Sequence, residues 1–182
     1  INAEYGTIIN DLSLSNELVL DEMFIDMPTF SFIPSQSLTM ETIWISKWFN
    51  RLLQLYNTHQ NKILFADRSP YSAIYYSKCS KQDQEALTFL IAEQIEQMAK
   101  VGIEIFTVQI TVQRDQLFQR ILSRLEFEPI RKQYNEDSRL WMEQTANWYD
   151  GFAWDFKVDN TEMCIPPKNV LKPILEKINI QI

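Results

Sequence analysis

From residue 39 to residue 57 the apolar side chains Ile43, Trp44, Trp48, Leu52, Leu55 and Tyr56 recur three or four positions apart. That spacing lines one face of a helix, with Thr39 placed as N-cap and Glu41 in the first turn. Residues 81–100 repeat the pattern through Leu87, Leu90, Ile91, Ile95 and Met98, and Gly102 stands where a glycine closes a helix. Helical patterns also cover 113–125, 130–149 and 167–178. Between them lie apolar-rich runs of a shorter kind: ELVLDEM (17–23), KILFAD (62–67), IEIFTVQI (103–110) and AWDFKVD (153–159). Runs of that length, bounded by polar residues, read as strands. Their alternation with helices predicts an α/β fold, a parallel sheet fed by right-handed crossovers and flanked by helices in three layers. The methionine and aromatic stripes within the helices read as core.

The polar residues that end these runs matter more for function. In ILFADRSPYS, residues 63–72, an apolar strand stops on Asp67, Arg68 and Ser69. In open parallel sheets ligands bind at the carboxyl ends of strands. Asp67 also suits an N-cap for a turn opened by Ser69-Pro70, and that role is compatible with ligand work. Asp21 and Glu22 follow the first strand, as a turn or as further site carboxylates. After the third strand, Arg120 and Arg124 stand four apart in QRDQLFQRILSRLEFE, on one helix face. Arginine forks bind phosphate oxygens in pairs, so these two read either as a phosphate clamp or as solvated partners of Glu126 and Glu128.

Composition narrows the field. A chain of 182 residues fits one domain by the length prior and suffices for a full core. A net charge of −7 argues against general binding of polymeric nucleic acid, without excluding a small anion held by converging arginines. No apolar run approaches the roughly 20 residues of a membrane span. Cys79 and Cys164 are far apart without metal spacing, which predicts a reduced, intracellular setting. The one histidine, His59, lies in the polar stretch NTHQNK and is expected to face solvent.

Taken in order, these features resemble the deoxynucleoside kinase and thymidylate kinase superfamily of P-loop kinases, over roughly residues 15–160. LFADRSPYS resembles the family's strand-ending acid-Arg-Ser motif. TVQITVQRDQLFQRILSR is similar to its strand, short loop and arginine-bearing lid helix, with the lid around 113–135. FKVDN resembles the last strand, which leads to the loop bordering adenine.

The resemblance implies ATP-dependent phosphoryl transfer with Mg²⁺ to the 5′-hydroxyl of a nucleoside or deoxynucleoside. It places Glu22 as the base that takes the hydroxyl proton and Arg51 as the residue holding the acceptor. Asp67 becomes the acid supporting Mg²⁺ through water, with Ser69 beside it at the nucleotide. Arg68 contacts the transferring phosphoryl group, and Arg120 and Arg124 neutralise its charge. Trp44 and Trp48 are candidates to stack a base, and equally good core residues. Catalysis of this kind is positioning plus electrostatic stabilisation, so the resemblance implies that the acids and arginines converge around one anion-sized hollow. It also implies a homodimer, and a cytoplasmic address, or a mitochondrial one if a transit peptide precedes Ile1.

The sequence departs from the family in two places. Where a further lid base is common, Glu126 stands, with Arg131 as its compensation. The larger departure is that no GxxxxGK[ST] occurs, and Gly6, Gly102 and Gly151 are the only glycines. The phosphate-cradling loop and the central strand before it are therefore expected to be missing from this sequence. Three accounts compete: an upstream segment outside the sequence, a remnant in residues 1–10, or a relative that kept the fold for binding or assembly. The functional alternatives are accordingly a nucleoside monophosphate kinase, a non-catalytic kinase-like subunit, or a nucleotide-binding regulator of other topology. Ser69 after Arg68 favours the nucleoside acceptor, since thymidylate kinases usually carry tyrosine there.

Overall fold

The computed structural model describes residues 19–20, 27–59, 63–162 and 167–178. The chain divides into two compact units, Ile1–Ile105 and Phe106–Ile182.

The first unit contains β1 (Val19–Leu20), α1 (Leu38–Thr58), β2 (Phe65–Ala66), α2 (Ser72–Tyr76) and α3 (Lys81–Lys100). β1 and β2 pair in parallel, Val19 with Phe65 and Leu20 with Ala66. Parallel neighbours need a crossover of a dozen residues or more, and α1 supplies it. The expected strand over 62–67 is thus paired at two positions only. Ile63, Leu64 and Phe65 are half-buried and Ala66 is exposed, because β1 is the sole described strand that pairs with them.

Helix α1 starts at Leu38, and its N-cap is Ser37, two residues before the expected Thr39. Ser37 makes no capping bond through its side chain; its hydroxyl is buried without a partner. The buried face of α1 is Met40, Glu41, Trp44, Ile45, Trp48, Phe49 and Leu52, and it packs on α2 and α3. From α3 come Leu87, Ile91 and Met98, three of the five residues of its expected stripe. Complete burial of a side chain such as Ile45, Leu87 or Ile91 stabilises the unit by about 1.5–3 kcal/mol each. The ends of α3 are fixed locally. Ser80 Oγ accepts the Asp83 N–H at 3.2 Å, and Gly102, at φ +84°, closes the other end. There the Gly102 N–H bonds to Ala99 O at 3.0 Å and the Ile103 N–H to Met98 O at 3.0 Å, the paired bonds of a Schellman cap.

The second unit contains β3 (Val108–Thr111), α4 (Arg114–Phe127), a 3-10 turn (Pro129–Tyr134), α5 (Arg139–Gly151), β4 (Phe156–Asp159) and α6 (Pro167–Lys177). β3 and β4 pair in parallel from Val108 with Phe156 to Thr111 with Asp159. Just before the ladder, the Asp155 carboxylate accepts both the N–H and the hydroxyl of Thr107 at 2.7 Å. The expected strand 103–110 therefore pairs late, over 108–111. The expected helix 130–149 is overturned as a single piece. Pro129 opens a tight turn, Asn135 adopts left-handed φ +60°, and Ser138 caps a new helix by accepting the Trp141 N–H at 3.3 Å. Proline, a left-handed residue and an N-cap in succession cannot lie inside one α-helix.

The pairs β1–β2 and β3–β4 are all of the parallel sheet that the described residues form. No helix among the described residues is long and apolar enough to cross a membrane.

Candidate functional site

In the first unit the site residues gather where β2 ends. The Asp67 N–H donates to Leu20 O at 2.7 Å, extending the strand pairing by one bond past Ala66. The chain then turns abruptly: Arg68 is left-handed at φ +79°. For a side chain with a Cβ this conformation costs about 1–2 kcal/mol, so something must hold it. One restraint is the Trp48 indole N–H, which donates to Arg68 O at 3.1 Å. A second is the Arg68 guanidinium, 4.8 Å above the centre of the Tyr76 ring. A third lies just downstream, where Ser69 Oγ accepts the Tyr71 N–H at 3.3 Å and Ser69 O accepts the Ser72 N–H at 3.0 Å. Ser69 thus caps the turn into α2, and Pro70 lies two residues before the first residue of that helix. Asp67, Arg68 and Ser69 are all half-buried.

The α1 candidates occupy one stripe of that helix, Trp44, Trp48 and Arg51, spaced four and three apart. Trp44 is 9% exposed and Trp48 6%, and Trp48 meets Phe49 edge-on with ring centres 5.0 Å apart. Their faces are spent in the core, and Trp48 acts on the site by fixing the Arg68 carbonyl. Arg51 is half-buried one turn further along. His59, expected in solvent, is half-buried as the C-cap of α1, where its N–H donates to Leu55 O at 2.8 Å. Glu22 lies outside the described residues.

The same stripe holds a residue that the sequence pattern marked only as a first-turn acid. Glu41 is 8% exposed, its carboxyl has no hydrogen-bond partner among the described residues, and burial pushes that carboxyl up to about 7. Its position three before Trp44, on the apolar face, was the available signal. Nearby Cys79 is a half-buried free thiol, pushed up first by burial and then by the charges of Asp83 and Glu41, against a lowering hydrogen bond from Ser77.

The arginines of α4 belong to the second unit. Arg120 Nη2 donates to Thr161 O at 3.1 Å, tying the helix to the loop after β4. Thr161 is held there in turn, since its hydroxyl accepts the Gln113 N–H at 3.0 Å. Arg124 Nη2 donates to Glu136 Oε2 at 2.8 Å, and Arg131 Nη1 to Glu136 Oε1 at 2.9 Å. Neither Arg120 nor Arg124 pairs with Glu126 or Glu128, the partners that the solvated reading of the sequence gives them. Arg131 takes Glu128 instead, and that hydrogen bond holds the Glu128 carboxyl below its ordinary value.

For Mg²⁺ the fit is narrow. Among the described residues no three His, Cys, Asp or Glu side chains gather as a metal cluster. Mg²⁺ commonly uses one or two carboxylates, water and ligand phosphates, and Asp67, at a strand end, is the described residue that would supply the carboxylate. Comparison with protein-family models, with curated proteins and with solved structures finds no match to this chain.

Proposed function

We propose that the chain transfers a phosphoryl group from ATP to the 5′-hydroxyl of a nucleoside or deoxynucleoside. The observation that carries this reading is the backbone of Arg68, left-handed at the end of a parallel strand, beside Asp67, with an indole holding its carbonyl. Strain of this sort persists only where the surroundings over-determine it, and it clusters at ligand sites. In the proposed reaction Arg68 meets the transferring phosphoryl group while Arg51 orients the acceptor. Glu22 takes the acceptor proton; Arg120 and Arg124, in the second unit, are the arginines to which the resemblance gives phosphate charge. Bound at Asp67 through water, Mg²⁺ would supply charge on the phosphate oxygens. Ser69 after Arg68 keeps the nucleoside ahead of the nucleoside monophosphate as acceptor.

A second reading, a kinase-like binding or structural subunit without turnover, is favoured by two features. Arg120 and Arg124 both spend hydrogen bonds inside their own unit, and the sequence carries no GxxxxGK[ST]. A coupled ATP assay with Mg²⁺ and a panel of nucleosides and monophosphates, run on the full-length protein, separates the two. Turnover that Arg68→Ala abolishes, with the circular dichroism spectrum unchanged, supports the enzyme. Nucleotide binding without turnover on any acceptor supports the subunit.

A further inference from the structure

In the second unit two arginines share one carboxylate. Glu136 is 9% exposed, and it splits its oxygens, Oε2 to Arg124 and Oε1 to Arg131. That division leaves a defect: Arg124 Nε is buried with no acceptor. As Glu136 is placed, neither of its oxygens hydrogen-bonds that Nε. A tetrahedral oxyanion carries more oxygens, pointing in more directions, with which to meet Nε as well as the two Nη donors.

The two sides of this triad also differ in how they are held. Arg124 is fixed within α4, whereas Glu136 follows left-handed Asn135 in the connection between the 3-10 turn and α5. The charges balance as they stand, since Arg124 and Arg131 face Glu136 and Glu128. Withdrawing Glu136 leaves Arg124 and Arg131 facing Glu128 alone, an excess of one positive charge on two largely buried guanidinium side chains.

We propose that Arg124 and Arg131 form a binding site for a phosphate-class oxyanion, and that Glu136 is a built-in competitor occupying it until the anion displaces it. This deepens the phosphoryl-transfer reading, and rests on it for the anion being a nucleotide phosphate. It also gives Arg131 the work of the lid base that Glu126 replaces. A competitor that fills the site lowers apparent affinity by the fraction of molecules in which the site is open.

The test is calorimetric titration of inorganic phosphate, and separately of ATP, into the wild-type protein and Glu136→Gln, with thermal unfolding of each. Glu136→Gln is expected to bind inorganic phosphate about tenfold tighter or more. The gain is expected to vanish in Glu136→Gln/Arg131→Gln. If Glu136→Gln does not fold, Glu136→Asp, which keeps the charge but draws it back by one methylene, is expected to show a smaller gain in the same direction. Unchanged phosphate affinity in the folded variant, or a gain that survives loss of Arg131, overturns the proposal. Because inorganic phosphate reads the site without any acceptor, the two ideas fail separately. A phosphate gain with no nucleoside phosphorylation leaves the site and removes the kinase; phosphorylation without the gain does the reverse.

Discussion

Replacing Glu41 by glutamine removes a charge that α1 holds out of water. The carboxyl goes from an ordinary 4.5 to about 7 on burial, with desolvation as the cause. At about 1.4 kcal/mol per pH unit, that difference means ionising Glu41 in place costs about 3 kcal/mol. A destabilisation of about 3 kcal/mol at neutral to alkaline pH is the result. The sign follows from linkage. An acid whose folded value is raised binds more protons folded than unfolded, so its stabilising contribution is complete below about 4.5. It is lost as pH rises through about 7. Glu41→Gln is uncharged throughout, so variant and wild type should have similar stability near pH 4.5 and separate progressively. Above pH 7.5 the variant should be more stable by about 3 kcal/mol. Urea unfolding followed by tryptophan fluorescence, at half-unit steps from pH 4.5 to 8.5 and at constant m value, measures this. A stability difference that stays constant across that range would refute the claim that Glu41 ionises in a desolvated place.

Three further substitutions probe the strand-end turn and the helix ends. Arg68→Gly should relieve the left-handed strain by about 1 kcal/mol, less the lost contact with Tyr76, while removing phosphoryl transfer; equal stability of Arg68→Gly and Arg68→Ala in urea would deny the strain. Trp48→Phe keeps the ring in the core but deletes the donor to Arg68 O, with an expected loss of about 1 kcal/mol and faster amide exchange around Asp67–Ser69, read by hydrogen exchange. Gly102→Ala should destabilise by about 1–2 kcal/mol although its Cβ meets open space, since φ +84° and not crowding is the obstacle; a neutral thermal melt contradicts this.

The local grammar of the chain was legible without coordinates. Apolar spacing located α1, α3 and α4 to within a residue or two, because a helix buries one stripe whatever it packs on. Gly102 announced its cap, since few other residues tolerate that conformation. Strand limits were not legible in the same way, as the trimming of 62–67 to Phe65–Ala66 and of 103–110 to Val108–Thr111 illustrates. An apolar run fixes a tendency to extend, but pairing depends on how much partner strand lies alongside. The continuous pattern over 130–149 hid a break, for the period of apolar residues continues through a turn that Pro129, Asn135 and Ser138 impose together.

The candidate site divides along the same line. Residue types and their order, Asp67-Arg68-Ser69 after a strand and Arg120 with Arg124 on one helix face, are written in the sequence because they depend only on neighbours and on helical period. Which partner each charge takes is a matter of distance through space, and pattern carries no distances. Only the tertiary structure turned Trp48 into the clamp on Arg68, buried the Glu41 carboxyl, and brought Arg124 and Arg131 onto Glu136. Burial and charge pairing sum over every element packed nearby, and they exist only once the chain has folded.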